Sequence, residues 1–260
     1  MKKILNRSDV AQIFGISVRT LQNWQKKKIL SPDLKGKDRQ AHSFSRDYIN
    51  SIRKGRVITE EQKKTRVGLY GGSFSPFHIG HLLSSLEIMA MSTLDEIWFL
   101  PCYQHRWKYN LLPPEKRLEM LRIVCEDYPF LNICDLEIDL AIKGETIKLI
   151  KKLQPHYGPD YRFFFIIGSD VAQQYHRWTG VEELTSLISF IIIHRIGFPF
   201  DRPDSPLKGK NHQYLHTNMA ISNVSGTLIR KRLLQGHDIA HLLPAKIWNY
   251  IQNNSLYLKK

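Results

Sequence analysis

The chain has 260 residues, of which 42% are hydrophobic, a composition that suits one or two globular domains with an ordinary core. Its longest apolar runs have the length of single strands, which argues against a membrane span, and no apolar signal core follows the first residues, so cytoplasmic residence is expected. The formal charge of +14 is uneven, with +11 in residues 1–66 and +3 in the remainder, which suggests that one part of the chain meets a polyanion and the other does not.

Two short helices are predicted at the front of the chain. Ser8 is expected to cap a first helix that runs to Phe14, and Ser17 is expected to cap a second helix over residues 18–27. In both cases a hydroxyl oxygen would accept a backbone N–H group that the first helical turn leaves free. The front of the chain is therefore predicted to be a small helical module.

A hairpin and a domain boundary are predicted after these helices. Residues 38–44 favour a hairpin wing, and Ser45 can cap a further helix. Residues 55–66 are polar and have no apolar period, which is typical of a linker. We therefore expect one domain over residues 1–60 and a second over residues 67–260.

Beyond this boundary, apolar runs alternate with amphipathic helical patterns. The predicted strands cover residues 67–71, 96–101, 131–135, 162–168 and 189–194. The predicted helices cover residues 81–91, 114–127, 145–153, 180–186, 226–234 and 244–253. Apolar strands separated by helices indicate an α/β fold with a Rossmann-like, doubly wound parallel sheet, covered on both faces. In such sheets ligands bind beyond the carboxyl ends of the strands.

The most informative segment, GGSFSPFHIGH at residues 71–81, joins the first of these strands to the first of these helices. Gly71 and Gly72 allow the backbone to approach a phosphate group where a Cβ would collide. The helix that follows directs free N–H groups and its positive end at the same place. His78 and His81 add two imidazoles that can donate hydrogen bonds to phosphate oxygens. The segment is therefore predicted to bind an anion.

Other interpretations of this segment have less support. No G-K-[ST] follows the glycines, and the G-x-G-x-x-G spacing of dinucleotide-binding loops is absent. A zinc site at His78 and His81 is a rival interpretation, but no nearby cysteine or carboxylate supports it. Cys102, Cys125 and Cys134 form no C-x-x-C pair, which is typical of free thiols. No metal site is predicted.

The segment resembles the signature of the HxGH nucleotidyltransferases, and most closely that of the nicotinate or nicotinamide mononucleotide adenylyltransferases. Ser75 stands where that family usually has an acidic residue. Further motifs resemble those of the family in the same order, namely a strand and its proline at residues 96–101, an IIG-x-D segment at 165–170, Arg-Trp at 177–178 and an ISxTxxR-like element at 224–230. The resemblance covers about residues 67–256.

The resemblance implies an enzyme of NAD biosynthesis that transfers AMP from ATP to nicotinate or nicotinamide mononucleotide and releases pyrophosphate. A mononucleotide phosphate is already mostly dianionic at neutral pH, with a second pKa of about 6, so no general base is needed to form the nucleophile. The task that remains is positioning and electrostatic stabilisation. Mg²⁺ is expected to arrive bound to ATP, because no carboxylate cage is visible in the sequence.

The resemblance also implies roles for particular residues. Those expected to act in catalysis are His78, His81 and Arg230. Those expected to bind ATP or its phosphates are Gly71, Gly72, Ser73, Phe74, Lys108, Gly168, Asp170, Ser225 and Thr227. Those expected at the mononucleotide are Trp178 and Arg195. The choice between the nicotinate and the nicotinamide mononucleotide stays open.

Residues 5–53 resemble the MerR-like or excisionase-like helix-turn-helix family, through GISVRTLQNW at residues 15–24 and a wing-like stretch at 39–48. The resemblance implies a winged helix-turn-helix domain that binds double-stranded DNA, and the charge of this part fits attraction to phosphate. The residues expected to face DNA are Arg19, Asn23, Lys26, Arg39 and His42. MerR proteins usually dimerise through a long helix after the wing, and none is visible here. A DNA-binding fold kept as a packing or partner-docking domain is therefore the alternative.

Two other functions stay open. The chain could be a transcriptional regulator whose rear domain only senses nucleotides, or a related HxGH cytidylyltransferase or adenylyltransferase. Two intact phosphate-binding elements favour the enzyme over the sensor. The matches at residues 168–170 and 177–178 favour a pyridine mononucleotide over other substrates.

Overall fold

The computed structural model describes residues 4–26, 30, 34–35, 42–45, 49, 64–104, 111–199, 207, 212–215 and 224–257. The chain divides into two compact units. The first contains residues 1–66 with the short segments 93–95 and 159–162, and the second contains the rest of the chain.

The first unit combines two short helices with a small antiparallel sheet. Its helices are α1 (Arg7–Phe14) and α2 (Val18–Lys26). Its strands are β1 (Ile4–Leu5), β2 (Leu34–Lys35) and β3 (His42–Ser45), in the order β1-β3-β2. Apolar residues from the helices and strands form its core, namely Leu5, Val10, Ala11, Phe14, Leu21, Leu30, Phe44 and Ile49.

The caps of the two helices only partly follow the prediction. The cap of α1 is Asn6, whose side chain accepts the Asp9 N–H at 2.8 Å while the Asp9 carboxylate accepts the Asn6 N–H at 2.8 Å. The prediction that Ser8 caps this helix is wrong, because this reciprocal pair already holds the first turn and Ser8 lies inside the helix. The prediction for Ser17 is confirmed, because its hydroxyl accepts the Thr20 N–H at 3.0 Å.

The predicted hairpin begins earlier than expected, since β2 starts at Leu34 and pairs antiparallel with β3. The helix expected after Ser45 lies largely outside the described residues, as does most of the boundary expected over residues 55–66.

A six-stranded sheet lies mainly in the second unit, while residues 65–66 and 161–162, at the starts of two of its strands, belong to the first. Its strands are β4 (Thr65–Gly72), β5 (Glu96–Pro101), β6 (Leu131–Ile133), β7 (Tyr161–Gly168), β8 (Ser189–Ile193) and β9 (Gln213–Leu215). Their order is β6-β5-β4-β7-β8-β9, and the pairs β4–β5, β5–β6, β7–β8 and β8–β9 are parallel. Strands β4 and β7 are therefore the two central strands. Strands β5 and β6 extend the sheet on the β4 side, and strands β8 and β9 extend it on the β7 side.

Eight α-helices are described around this sheet, together with the 3-10 helices Tyr175–Arg177 and Ala240–Leu242. The α-helices are α3 (Ile79–Met91), α4 (Pro114–Cys125), α5 (Leu136–Asp139), α6 (Thr146–Tyr157), α7 (Ser169–Ala172), α8 (Val181–Leu187), α9 (Gly226–Leu234) and α10 (Ala245–Asn253). Successive residues are buried along β4, β5 and β7, as expected for strands covered on both faces. The predicted doubly wound α/β fold is confirmed. Among the described residues no helix is long and apolar enough to cross a membrane.

Several elements differ from the sequence-based expectation, and helix α6 extends to Tyr157, beyond its predicted end at residue 153. The strand predicted over residues 131–135 ends at Ile133, because the chain turns into the short helix α5. Helix α3 begins at Ile79, two residues before the predicted start. Strand β9 lies in a segment where no regular pattern was seen, since its three residues are too few to show a period and its pairing with β8 is non-local.

Candidate active site

The strand order reverses between β4 and β7, and this point defines the crevice in which open α/β sheets bind ligands. Strand β4 ends at Gly72 and strand β7 ends at Gly168. The segment 71–78, called here the phosphate loop, leaves the first of these ends, and helix α7 begins directly after the second. The sequence motifs with predicted chemistry therefore meet at one edge of the sheet.

The two glycines of the phosphate loop have different surroundings. A Cβ on Gly72 would lie 2.8 Å from the ring of Phe74, whereas a Cβ on Gly71 would make an ordinary contact of 3.4 Å with the ring of Phe165. Phe74 is fully buried and its backbone has a φ of 46°. The close packing of its ring gives Gly72 a structural reason to lack a side chain, beside the expected approach of a phosphate.

His78 and His81 lie against each other at the start of α3, with ring centroids 3.6 Å apart and an interplanar angle of 18°. The backbone N–H of His78 donates to Nδ1 of His81 at 3.3 Å. Because Nδ1 accepts this bond, the neutral His81 ring carries its proton on Nε2. The Phe74 and Phe77 rings pack against the His81 ring, with centroids 4.9 and 5.3 Å from the His81 centroid. The fold thus fixes both the tautomer and the orientation of a hydrogen-bond donor.

The start of α9 supplies a second set of donors. Ser225 caps this helix, and its Oγ accepts the Leu228 N–H at 3.2 Å. Arg230 donates through Nη2 to Thr227 Oγ1 at 3.3 Å and through Nη1 to the backbone carbonyl of Ser75. The guanidinium group therefore ties the α9 start to the phosphate loop.

The starts of α3 and α9 approach each other closely. A Cβ on Gly80 would lie 3.3 Å from the carbonyl oxygen of Val224, and a Cβ on Gly226 would lie 3.0 Å from that of Ser75. The first turns of α3 and α9 are thus adjacent, and the positive end of a helix N-terminus favours anions. The roles of His78, His81, Thr227 and Arg230 in phosphate binding stay predictions.

Ser75 stands where the family usually has an acidic residue, and its side chain contacts two other groups. Its Oγ accepts the Leu112 N–H at 3.2 Å and lies 2.9 Å from the hydroxyl of Tyr257. Burial raises the pKa of the Tyr257 phenol, so this group stays protonated. The last described turn of the chain therefore packs directly on the phosphate loop.

Arg117 is a buried residue that the sequence reasoning missed. It is 1% exposed and donates to three backbone carbonyls: Nε to Leu112 at 2.9 Å, Nη1 to Ser73 at 3.1 Å and Nη2 to Tyr103 at 3.3 Å. Arginine side chains are usually exposed, so the residue type alone does not predict that Arg117 is buried. The signal lay in its position, because it shares the helical phase of the buried residues Met120, Leu121 and Val124.

Glu137 on α5 is a second buried charged residue that was missed. It is 7% exposed and accepts the backbone N–H of Tyr103 at 3.1 Å and that of Gly144. Burial raises the pKa of its carboxyl to about 7, against the opposing effects of these two bonds and of Arg117.

A cavity of about 380 Å³ opens beside the ends of β5 and β7. Its lining residues are Cys102, Gln104, Gly144, Glu145, Thr146, Ile147, Val171, Gln174, Arg177, Trp178, Thr179 and Leu184. Trp178 lines this cavity, and its ring centroid lies 5.8 Å from that of Phe190, while its expected contact with the mononucleotide stays a prediction.

Arg195 follows β8 in the chain and contacts the residues that follow β7. Its backbone N–H donates to Ser169 Oγ at 2.8 Å, and its Nε is 3.9 Å from Asp170 Oδ1. Its Cγ would be 3.1 Å from a Cβ on Gly168. Arg195 does not line the cavity beside Trp178, so its expected contact with the mononucleotide stays a prediction. Lys108 lies outside the described residues.

The residues expected to face DNA are described only in part. Arg19 and Asn23 lie on α2 and are half-buried. Lys26 ends this helix and His42 begins β3, while Arg39 lies outside the described residues. Their expected roles stay predictions.

No group of three or more histidine, cysteine, aspartate or glutamate side chains that could hold a metal ion occurs in the described part of the chain.

The doubly wound sheet, with two helix starts close together at its switch point, defines the class of fold as α/β. The family model for cytidylyltransferase-like proteins matches residues 69–232. The chain is 36% identical over 195 residues to a probable nicotinate-nucleotide adenylyltransferase of Halalkalibacterium halodurans, covering 74% of this chain and 91% of that protein. It is 31% identical over 202 residues to the nicotinate-nucleotide adenylyltransferase of Bacillus subtilis, covering 74% of this chain and 98% of that protein.

A solved structure has the same fold. It is the Plasmodium falciparum nicotinic acid mononucleotide adenylyltransferase complexed with NaAD, which matches with a TM-score of 0.64 and 26% identity and covers 74% of this chain and 97% of that one. The chain belongs to the nicotinate-nucleotide adenylyltransferase family, within the cytidylyltransferase-like proteins.

Proposed function

We propose that this chain transfers AMP from ATP to nicotinate or nicotinamide mononucleotide, releases pyrophosphate, and acts in NAD biosynthesis in the cytoplasm. Membership of the adenylyltransferase family supports this function. The observation that carries it is the convergence of the α3 and α9 starts, tied together by the bond from Arg230 to the Ser75 carbonyl. A site built in this way suits a triphosphate.

In the proposed reaction, a phosphate oxygen of the mononucleotide attacks the α-phosphorus of ATP. A new phosphorus–oxygen bond forms, and the bond to the departing pyrophosphate breaks. Mg²⁺ enters with ATP as part of the substrate, and it offsets phosphate charge there. The protein's contribution is to bring two anions together in line and to stabilise the added negative charge.

The geometry suggests a role for each phosphate-binding group. His81 offers its Nε2–H from a fixed ring, and we assign it to the reacting phosphate with His78 beside it. Thr227 and Arg230, with the Ser225-capped helix start, are assigned to the β and γ phosphates. The backbone of residues 71–74 lines the loop.

The remaining proposed contacts lie on either side of the phosphates. Gly168 and Asp170, directly after β7, are assigned to the adenosine side. The cavity beside Trp178 is assigned to the mononucleotide, whose pyridine ring can stack on the indole. Arg195 lies near Asp170 and outside the cavity lining, so we propose that it contacts the part of the mononucleotide that extends toward the adenosine side.

The direct test is incubation of the protein with ATP, Mg²⁺ and either mononucleotide, followed by measurement of pyrophosphate and dinucleotide. We expect equal amounts of both products, and comparison of the two substrates identifies the preferred one. His237→Ala, an exposed histidine away from the phosphate loop, serves as a matched control for His81→Ala. A folded protein that binds ATP but forms no dinucleotide with either substrate would support the nucleotide-sensor alternative instead.

Binding of double-stranded DNA by residues 1–60 is a second candidate function. The +11 charge of residues 1–66 and the α1–turn–α2 arrangement, with Gly15 at a φ of 64°, favour it. A gel-shift assay with duplex DNA at about 50 and 200 mM salt tests this proposal, because phosphate contacts weaken steeply over that range. Absence of a shift at the lower salt would favour the packing or partner-docking alternative.

A further inference from the structure

The backbone of Tyr103 is held from both sides by buried charged groups. Glu137 accepts its N–H at 3.1 Å, and Arg117 donates to its carbonyl oxygen at 3.3 Å. Charged side chains are rarely buried unless they are paired or fully hydrogen-bonded. Because two buried charged side chains bond to the Tyr103 backbone, they hold its N–H and carbonyl groups in a fixed position.

The other bonds of Arg117 lead to the phosphate loop. The same guanidinium group donates to the carbonyl of Ser73 at 3.1 Å, and its Nε donates to the carbonyl of Leu112 at 2.9 Å. Leu112 in turn donates its N–H to the Ser75 hydroxyl. Arg117 therefore fixes the distance between Tyr103 and the loop that holds the triphosphate.

The other bond of Glu137 leads to a second segment of the cavity lining. Its carboxylate also accepts the N–H of Gly144, which begins the lining segment 144–147. Cys102 and Gln104, on either side of Tyr103, line the cavity as well. Glu137 therefore joins two walls of the space assigned to the mononucleotide.

We propose that Arg117 and Glu137 are positioning residues that couple the phosphate loop to the mononucleotide cavity through the backbone of Tyr103. This inference rests on the proposed function. Neither side chain lines the cavity, so both act through the backbone that they hold. Together they set the approach of the attacking phosphate to the triphosphate, a distance on which in-line transfer depends steeply.

The ionisation of Glu137 supports this role. Burial raises its pKa, so the fold keeps a carboxylate that is costly to charge, and the two N–H bonds favour the charged form. The titratable groups of the described residues that interact electrostatically with Glu137 are Arg117 on α4 and Cys134 after β6. Burial raises the pKa of the Cys134 thiol, which stays neutral. The coupling therefore weakens when Glu137 takes up a proton.

Glu137→Gln tests the proposal, because it keeps the shape of the side chain but leaves one acceptor oxygen for two N–H groups. We expect kcat/KM for the mononucleotide to fall about tenfold at pH 8, with KM for ATP changed less than twofold. The ratio of wild-type to variant kcat/KM should narrow as the pH falls from 8 to 6, since the wild-type carboxylate then becomes protonated. This ratio cancels the titration of the substrate phosphate, which both proteins share.

Matched variants separate positioning from general damage. Asp139→Asn removes an exposed charge from the same helix as Glu137, and Arg122→Lys changes an exposed arginine on the helix of Arg117; both should keep kcat/KM within twofold. Glu137→Asp retains the charge but shortens the reach, so it should raise KM for the mononucleotide while keeping the wild-type pH profile. It also provides the test if Glu137→Gln does not fold.

The outcomes distinguish this inference from the proposed function. If the wild-type protein forms no dinucleotide, the proposed function is wrong. If the wild-type protein is active and folded Glu137→Gln has the same kcat/KM for the mononucleotide, or a ratio that does not change with pH, the positioning role is wrong.

Discussion

Gly72→Ala should destabilise the fold through the aromatic packing under the phosphate loop. The new Cβ would lie 2.8 Å from Cζ of Phe74, with two further ring carbons at 3.0 and 3.2 Å. Carbon atoms pack at about 3.5 Å or more, so the Phe74 ring would have to move by about 0.7 Å.

The Phe74 ring has little room for this movement. It is fully buried, and its centroid lies 5.4 Å from that of Phe99 and 4.9 Å from that of His81. Overpacking of a filled core costs about 1–3 kcal/mol, and we expect the free energy of unfolding to fall by about 2 kcal/mol. Because His81 packs on the same ring, kcat should fall as well, by up to about 100-fold if the imidazole is displaced by an ångström.

Urea unfolding of Gly71→Ala and Gly72→Ala measures the effect with a control one residue away. The Cβ of Gly71→Ala meets the Phe165 ring at 3.4 Å, so its unfolding free energy should change by less than about 0.5 kcal/mol. The double variant Gly72→Ala/Phe74→Leu lacks the ring carbons that collide. It should recover part of the free energy of unfolding that Gly72→Ala loses. The reasoning is wrong if the two alanine variants are equally stable, or if the effects of Gly72→Ala and Phe74→Leu on the free energy of unfolding simply add.

Three further predictions concern the charged and hydrogen-bonding groups of the site. His81→Ala should lower kcat by about 10²–10³-fold, as loss of a transition-state donor does, while the unfolding curve shows an intact fold. Arg230→Lys should lower kcat/KM for ATP by about tenfold or more, since lysine cannot contact the Ser75 carbonyl and Thr227 at once, and steady-state kinetics with varied ATP measure this. Glu137→Gln should flatten the pH dependence of stability. Burial raises the pKa of this carboxyl from 4.5 to about 7, so its protonation stabilises the fold at low pH, and the wild-type protein should lose about 3 kcal/mol as the pH rises through this window. Urea unfolding at about pH 5 and pH 8 would contradict this if wild type and variant changed equally.

The family's signature was readable because it is local. The glycines, the two histidines and the start of α3 lie within residues 71–81, and the element at residues 224–230 is as short. Each uses neighbouring residues to build a helix start, so the sequence order alone predicts an anion-binding group. Apolar runs and helical periods likewise predicted the doubly wound sheet, because strand and helix patterns repeat over a few residues.

The contacts between these elements could not be read in the same way. Arg117 bonds to carbonyls that lie five, fourteen and forty-four residues away in the chain, and a carbonyl has no signature in the sequence. The Tyr257 hydroxyl meets Ser75 across 182 residues. Strand β9 exists because β8 offers it a free edge, and this pairing depends on the completed sheet.

The sequence by itself therefore determined the fold class and the family, because local periodicity and short motifs encode them. Only the tertiary structure decided which backbone groups Arg117 and Glu137 hold, why Gly72 has no room for a side chain, and that Arg195 lies by Asp170. These features depend on atoms brought within a few ångströms by folding. Long-range packing sets such distances, whereas the order of residues sets only which groups are available.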